Sequence, residues 1–203
     1  MPMTRFFLIR HAANDHSGHG FAGRTPGIDL NAAGWEQARG LASRFGGVPV
    51  AAVYSSPLER AMQTAEPIAT LLGLPVTSRE EFLELDTGDW TGRRFDSLED
   101  DAAFHRFNSL RSCSGAPGGE LMLQAQARMV AGLEAVRCSH PGQSVVVVSH
   151  GDMIRAALAH CLGMPLDLML RLEVEMGSVS TVEIGDGAVR VLAVNGTGRL
   201  PRG

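Results

Sequence analysis

A three-layer α/β/α sandwich around a mostly parallel mixed sheet is the fold class predicted by the 203-residue sequence, and three observations carry it. Two short runs are continuously apolar, Phe6-Phe7-Leu8-Ile9 and Val145-Val146-Val147-Val148. Runs of this kind read as strands buried on both faces of a parallel sheet. Segments with helical apolar spacing alternate with these and other strands along the chain. Two β-type segments joined by Gly185-Asp186-Gly187 close the chain as an antiparallel hairpin.

In order, strand one is expected over Arg5–Arg10. Asn31 then caps a helix whose positions Trp35, Ala38, Leu41, Ala42 and Phe45 face one way, with Gly46-Gly47 as its stop. Val50–Tyr54 reads as strand two. Ser56-Pro57 opens a helix with Leu58, Ala61, Met62 and Ala65 on one side; Pro67 is expected to break or kink it before Gly73 ends the segment. Phe82–Gly119 is the least regular stretch, with an acidic cluster (Asp96, Glu99, Asp100, Asp101) and a Gly-Pro-rich loop. It reads as a lid-like excursion from a single domain covering 1–203. A long helix follows with Met122, Ala125, Met129, Leu133 and Val136 buried. Another begins near Asp152 and buries Ile154, Ala157, Leu158, Cys161 and Leu162. The hairpin pairs Val179–Ile184 with Val189–Val194.

Composition narrows the functional classes. At 44% hydrophobic and 20% charged the chain holds ample core material. A net charge of −4 supplies no basic field for nucleic acid. Cys113, Cys138 and Cys161 form neither a zinc-like spacing nor an even disulfide set. The apolar stretch near the N-terminus is too short for a signal-peptide core or a membrane span. A cytoplasmic protein without membrane or nucleic-acid partners is expected.

The chemistry-bearing residues follow strands. Arg10-His11 ends the first apolar run and Ser149-His150-Gly151 ends the second. Open α/β sheets bind ligands beyond the carboxyl ends of their strands, so the two histidines are placed to converge. Arg60 sits in the first turns of the helix after strand two, and Glu84 follows Phe82-Leu83. Two arginines, two histidines and one carboxylate make a coherent set for a phosphate monoester.

Four segments in register resemble the histidine phosphatase superfamily, also called the phosphoglycerate mutase-like family (branch 1). They are Leu8-Ile9-Arg10-His11-Ala12; Ser55-Ser56-Pro57-Leu58-Glu59-Arg60-Ala61 with Gln63-Thr64-Ala65; Glu84 with Gly88, Trp90 and Gly92; and Val147-Val148-Ser149-His150-Gly151. Gly23-Arg24, Leu30 with Gly34 and Gln37-Ala38, and Pro117-Gly118-Gly119-Glu120 with Arg128 are secondary matches. The resemblance implies a phosphoglycerate mutase-like fold and a phosphohistidine intermediate on His11. It also implies Arg10, Arg60 and His150 around the phosphoryl oxygens, and Glu84 as general acid and then base. Gly151 completes the His150 motif at the substrate. Elementary chemistry agrees. A neutral imidazole is a competent nucleophile, guanidinium forks suit phosphate oxygens, and two nearby cations disfavour protonation of His11.

The chain departs from the family pattern at Ala12, where glycine is usual, and at Ser17, where a polar phosphate ligand such as asparagine is common. The Ser17 hydroxyl, or Asn14 in the same loop, is the candidate replacement. His16 and His19 read as solvated loop residues before a metal pair, and His105, Arg93 and Arg94 as rim residues or plain surface. The scheme requires no cofactor and no metal. The implied activity is metal-independent hydrolysis of a small phosphorylated metabolite. A phosphoglycerate-type mutase is the alternative, disfavoured by chain length and by Ala13-Asn14 after the nucleophile's motif. A non-catalytic phosphate-binding or regulatory module would have lost one of the five site residues, and all are present. Homodimers are common in the family, although no exposed apolar stripe here demands one.

Overall fold

A computed structural model describes residues 2–200. Its six-stranded sheet has the order β3-β2-β4-β1-β5-β6. The strands are β1 (Thr4–Arg10), β2 (Ala52–Ser55), β3 (Val76–Ser78), β4 (Ser144–Ser149), β5 (Val179–Gly185) and β6 (Ala188–Gly196). The first four are parallel, whereas β5 pairs antiparallel with β1 and with β6. The α-helices are α1 (Ala32–Ser43), α2 (Glu59–Leu72), α3 (Ala102–Ser109), α4 (Met122–Ser139) and α5 (Gly151–Leu162).

Side chains of a strand alternate between faces, so the two central strands feed two cores. Phe6, Leu8, Val145 and Val147 join α4, α5 and the excursion in one hydrophobic cluster. Phe7, Ile9, Val146 and Val148 join α1 and α2 in the other. This double burial is why both runs are apolar at every position. Because β1, β2 and β4 are parallel, Arg10, Ser55 and Ser149 end on one edge, in the register Arg10↔Ser149 and Ser55↔Val148.

Several element boundaries differ from the sequence expectation. β2 runs Ala52–Ser55 rather than Val50–Tyr54, because its pairing with β4 starts at Ala52↔Val145. α2 starts at Glu59, and its N-cap Leu58 makes no side-chain cap bond. The helix also passes through Pro67 without breaking, since Ala65, Ile68 and Ala69 are buried around that position and hold the turn. Leu162 ends α5 exposed, not buried. Phe45 is buried but lies beyond the end of α1 at Ser43.

The 82–119 excursion contains α3 and short 3₁₀ turns that the sequence did not announce. Phe82, Leu85, Trp90, Leu98 and Phe107 bury their side chains in the sheet's core. Phe21 joins them, its ring stacked on Trp90 at 5.6 Å and edge-on to Phe95 at 5.0 Å. Part of the acidic cluster is architectural. The Asp101 carboxylate accepts from Ala103 and Phe104 N–H to cap α3, and Asp96 pairs with Arg94 at 3.0 Å.

Candidate active site

The parallel edge gathers the expected residues. His11 follows β1 and its N–H donates to Ser149 O at 2.9 Å, extending the β1–β4 ladder by one residue. His150 follows β4, and the two imidazole centroids lie 5.3 Å apart. Arg60, in the first turn of α2, is 1% exposed and points inward. The loop after His11 is tied to α2: Ala12 N–H donates to Thr64 Oγ1 at 2.9 Å, and Thr64 Oγ1 donates to Arg60 O at 2.6 Å.

A cavity of about 260 Å³ opens on this edge, lined among others by Arg10, His11, Asn14, Ser17, Arg60, Glu84 and Gly151. His150 is not on its wall; it lies fully buried behind it. Ser17 and Asn14 both reach the cavity, and Asn14 is buried, its Oδ1 accepting from His16 N–H. Ala12 introduces no strain. Among the described residues Asn195 is the one non-glycine at positive φ, and the Ala12 methyl packs with Leu30 and Ala38.

A hydrogen bond fixes the tautomer of His11. His11 Nδ1 lies 2.8 Å from Ala12 O. A carbonyl only accepts, so the proton sits on Nδ1 and the Nε2 lone pair is free. Burial, then the Arg60 charge, lowers the His11 pKa to about 3 despite the opposing bond to Ala12, and the imidazole is neutral. His150 Nε2 is 2.8 Å from Ser56 Oγ, which also accepts from Leu58 N–H at 3.4 Å. A serine hydroxyl can donate to Nε2 or accept from it, so this bond fits either tautomer of His150.

Glu84 is held by its backbone. Arg24 Nε donates to Glu84 O at 2.9 Å, Arg128 donates to Leu83 O at 3.0 Å, and Glu120 bridges both arginines at 2.9 and 3.0 Å. The secondary motif residues Arg24, Glu120 and Arg128 thus set the position of Glu84. The Glu84 carboxylate accepts from Leu85 N–H and stands 3.9 Å from His150 Nδ1. Burial, then the charge of Asp152, raises its pKa to about 7 against the Leu85 N–H bond, Arg60 and Arg10.

Arg10 and Arg60 each spend one donor on a structural bond and keep another. Arg10 donates an Nη1 bond to Val174 O at 2.7 Å, and Arg60 an Nη2 bond to Gly23 O at 2.8 Å. Arg10 Nε, Arg60 Nη1 and His150 Nδ1 are buried with no hydrogen-bond partner among the described residues. Buried donors are seldom left unmade, because each costs about 1–3 kcal/mol, more when charged. Gly151 lets Arg10 approach α5: a Cβ there would stand 3.2 Å from Arg10 Nε and 3.4 Å from Arg155 Nη1.

Asp152 and Arg155 also line the cavity, and neither was singled out from sequence. The one available signal was their place in the first turns of the helix after His150. His16 reaches the cavity mouth and is exposed, as is His19. Arg93 and Arg94 are exposed outside the main cavity, and Arg94 pairs with Asp96; His105 is exposed and bonds Glu99 O. Among the described residues no group of three or more His, Cys, Asp or Glu side chains is placed to hold a metal ion. No described helix is long and apolar enough to cross a membrane.

Residues 6–197 match the model of the histidine phosphatase superfamily (branch 1). A bifunctional protein of Mycobacterium tuberculosis is 36% identical over 204 residues, covering 97% of this chain and 55% of that protein. The chain thus spans about half the length of that relative. Phosphoserine phosphatase 1 of Hydrogenobacter thermophilus is 30% identical over 203 residues, 98% of this chain and 95% of that protein. The crystal structure of the alpha-ribazole phosphatase from Shigella flexneri superposes with a TM-score of 0.84 at 27% identity, covering 98% of this chain and 100% of that one. On this sequence match over residues 6–197, together with the shared fold, the chain belongs to branch 1 of the histidine phosphatase superfamily.

Proposed function

We propose that the chain is a phosphomonoester hydrolase that passes the phosphoryl group through His11. The observation that carries this is the pair of guanidiniums, Arg10 and Arg60, on the wall of one cavity with an imidazole whose Nε2 lone pair is free, and with the His150 ring buried beside it. Two guanidiniums beside a free imidazole nitrogen suit the oxygens of one tetrahedral anion.

In the first step His11 Nε2 bonds to phosphorus as the phosphorus–oxygen bond to the leaving alcohol breaks. The Glu84 carboxyl proton goes to that oxygen. In the second step the Glu84 carboxylate takes a proton from water, the water oxygen bonds to phosphorus, and the N–P bond breaks. His11 is neutral again and inorganic phosphate departs. A Glu84 pKa of about 7 suits a group that gives and then takes a proton near neutrality. The charge of the transferring group is met by Arg10 and Arg60, so the scheme calls for no metal.

A cavity of about 260 Å³ suits a small phosphorylated metabolite, as do relatives named for phosphoserine and alpha-ribazole phosphate hydrolysis. Ser17 and Asn14 supply further hydrogen-bonding groups at its wall. The test is phosphate release across a panel of monoesters, joined to rapid acid-base quenching. A base-stable, acid-labile phosphoryl label on His11 is expected. Activity without that label, or conversion of 3-phosphoglycerate to its 2-isomer faster than phosphate release, overturns the assignment.

A further inference from the structure

We infer that Asp152, fixed in place by Arg111 from the excursion, is the positioning residue that keeps the proton on Glu84. This rests on Glu84 acting as the acid of a phosphomonoesterase, and it extends that assignment to a pair the motifs do not include.

Arg111 lies just beyond α3 with its side chain only 4% exposed. Its guanidinium sits 3.8 Å above the Phe107 ring, donates to Asn108 Oδ1 at 3.1 Å, and pairs with Asp152 Oδ2 at 2.8 Å. The other Asp152 oxygen meets Arg155 Nη1 at 3.3 Å, and Arg155 Nε is tied to Leu172 O at 2.9 Å. Both oxygens are thus engaged, and the carboxylate is anchored at the cavity wall in the first turn of α5. A buried ion pair adds little stability over apolar residues of the same volume. Its charge, placed on the wall of a catalytic cavity, is what an apolar pair would not provide.

The groups facing Glu84 show what that charge does. Arg10 from β1 and Arg60 from α2 favour the carboxylate form. His150, at the start of α5, is buried and neutral with Nδ1 3.9 Å away, and His11 beyond β1 is neutral as well. On the backbone side the two charges of Arg24 and Arg128 are met by Glu120, which pairs with both, and by Asp86, 4.0 Å from Arg24. Asp152 on α5 lines the same cavity as Glu84 and is the anion that opposes Arg10 and Arg60 there. Like charges in one low-dielectric site do not both persist, and the one without a close cation takes the proton. Asp152 has Arg111 and Arg155 within ion-pair distance; Glu84 has no arginine within that distance among the described residues. Burial disfavours both charges: at Asp152 Arg111 and then Arg155 outweigh it and the carboxylate stays ionised, whereas at Glu84 burial and then the Asp152 charge favour the protonated carboxyl.

The test replaces Asp152 by Asn, whose side-chain oxygen still accepts from Arg111. Two quantities are read: the alkaline limb of kcat/KM, and the Glu84 carboxyl titration by carbon NMR, assigned with Glu84→Gln. The midpoint is expected to fall by about 1 pH unit, and kcat/KM at pH 7.5 by about five- to tenfold for an alkyl phosphate but less than about threefold for a nitrophenyl phosphate. If Asp152→Asn does not fold, the double change Arg111→Met with Asp152→Asn removes the pair as a neutral unit and should give the same direction. A profile scaled down with an unmoved midpoint makes Asp152 merely structural and overturns the inference. A wild-type protein that releases no phosphate from any monoester defeats the enzymatic assignment instead, and the NMR midpoint still decides the Asp152 coupling.

Discussion

In the proposed mechanism His11 is prepared as nucleophile by one carbonyl, by burial and by two cations. The bond from Nδ1 to Ala12 O sets the tautomer, while burial and Arg60 keep the ring neutral. Uncatalysed hydrolysis of phosphate monoesters is slow enough for enzymes to accelerate it up to about 10²¹-fold, of which general acid catalysis supplies roughly 10²–10⁴. His11→Ala should therefore abolish turnover of every substrate. Glu84→Gln should retain measurable turnover of a nitrophenyl ester while losing roughly 10²-fold or more on alkyl phosphates. Equal loss from both variants with the nitrophenyl ester, in steady-state assays, would count against this division. The pH dependence follows from the same two groups. Activity needs His11 deprotonated and Glu84 protonated, so kcat/KM for an alkyl ester should fall as pH rises through about 7. His11 should not limit it until about pH 3. An alkaline limb absent up to pH 9 would contradict the role of Glu84.

At the scale of elements, α1 is a brace for the nucleophile loop. Asn31 caps the helix by accepting from Gly34 N–H and donates to Asp15 Oδ1 at 2.8 Å. Gly34 lies so close to that loop that an added Cβ would fall 2.0 Å from Ala13 O. Alanine is favoured over glycine inside a helix by about 1 kcal/mol. Here the backbone contact cannot yield like a flexible side chain, and overpacking costs about 1–3 kcal/mol. Gly34→Ala is expected to lower the melting temperature and raise KM, because the displaced loop carries Asn14 and Ser17. An unchanged or higher melting temperature by calorimetry would show that α1 and the loop separate freely.

Across the whole molecule, the site lies where two separately packed cores share β1 and β4, and that burial has a thermodynamic signature. The folded-state pKa of Glu84, about 7, stands above its ordinary value of 4.5. Its contribution is fully present below pH 4.5 and is lost as pH rises through about 7. Glu84→Gln should therefore be more stable relative to wild type at pH 8.5 than at pH 4, in denaturant titrations at both values. A difference independent of pH would mean that Glu84 titrates normally in the folded protein. The excursion contributes at this scale too. It fills the core with Trp90 and Phe107 and carries Arg111 to Asp152.

What could be foreseen follows from how local each cause is. The runs Phe6–Ile9 and Val145–Val148 declare central strands because burial on two faces leaves no polar position. The Met122–Val136 stripe declares α4 because helical spacing repeats within the segment. Arg10, His11, Arg60 and His150 stood out because they follow strands that end on one edge, whereas Glu84 follows a 3₁₀ turn and stood out through its motif. α3, the three-residue β3 and the turns of the excursion were not, since their stability comes from rings and sheet neighbours far away in sequence. Tertiary structure alone decided which donors stay unpartnered, which nitrogen of His11 is free, and that Asp152 and Glu84 line one cavity. Those properties depend on desolvation and on charges brought together from distant segments, and these exist only once the chain has packed.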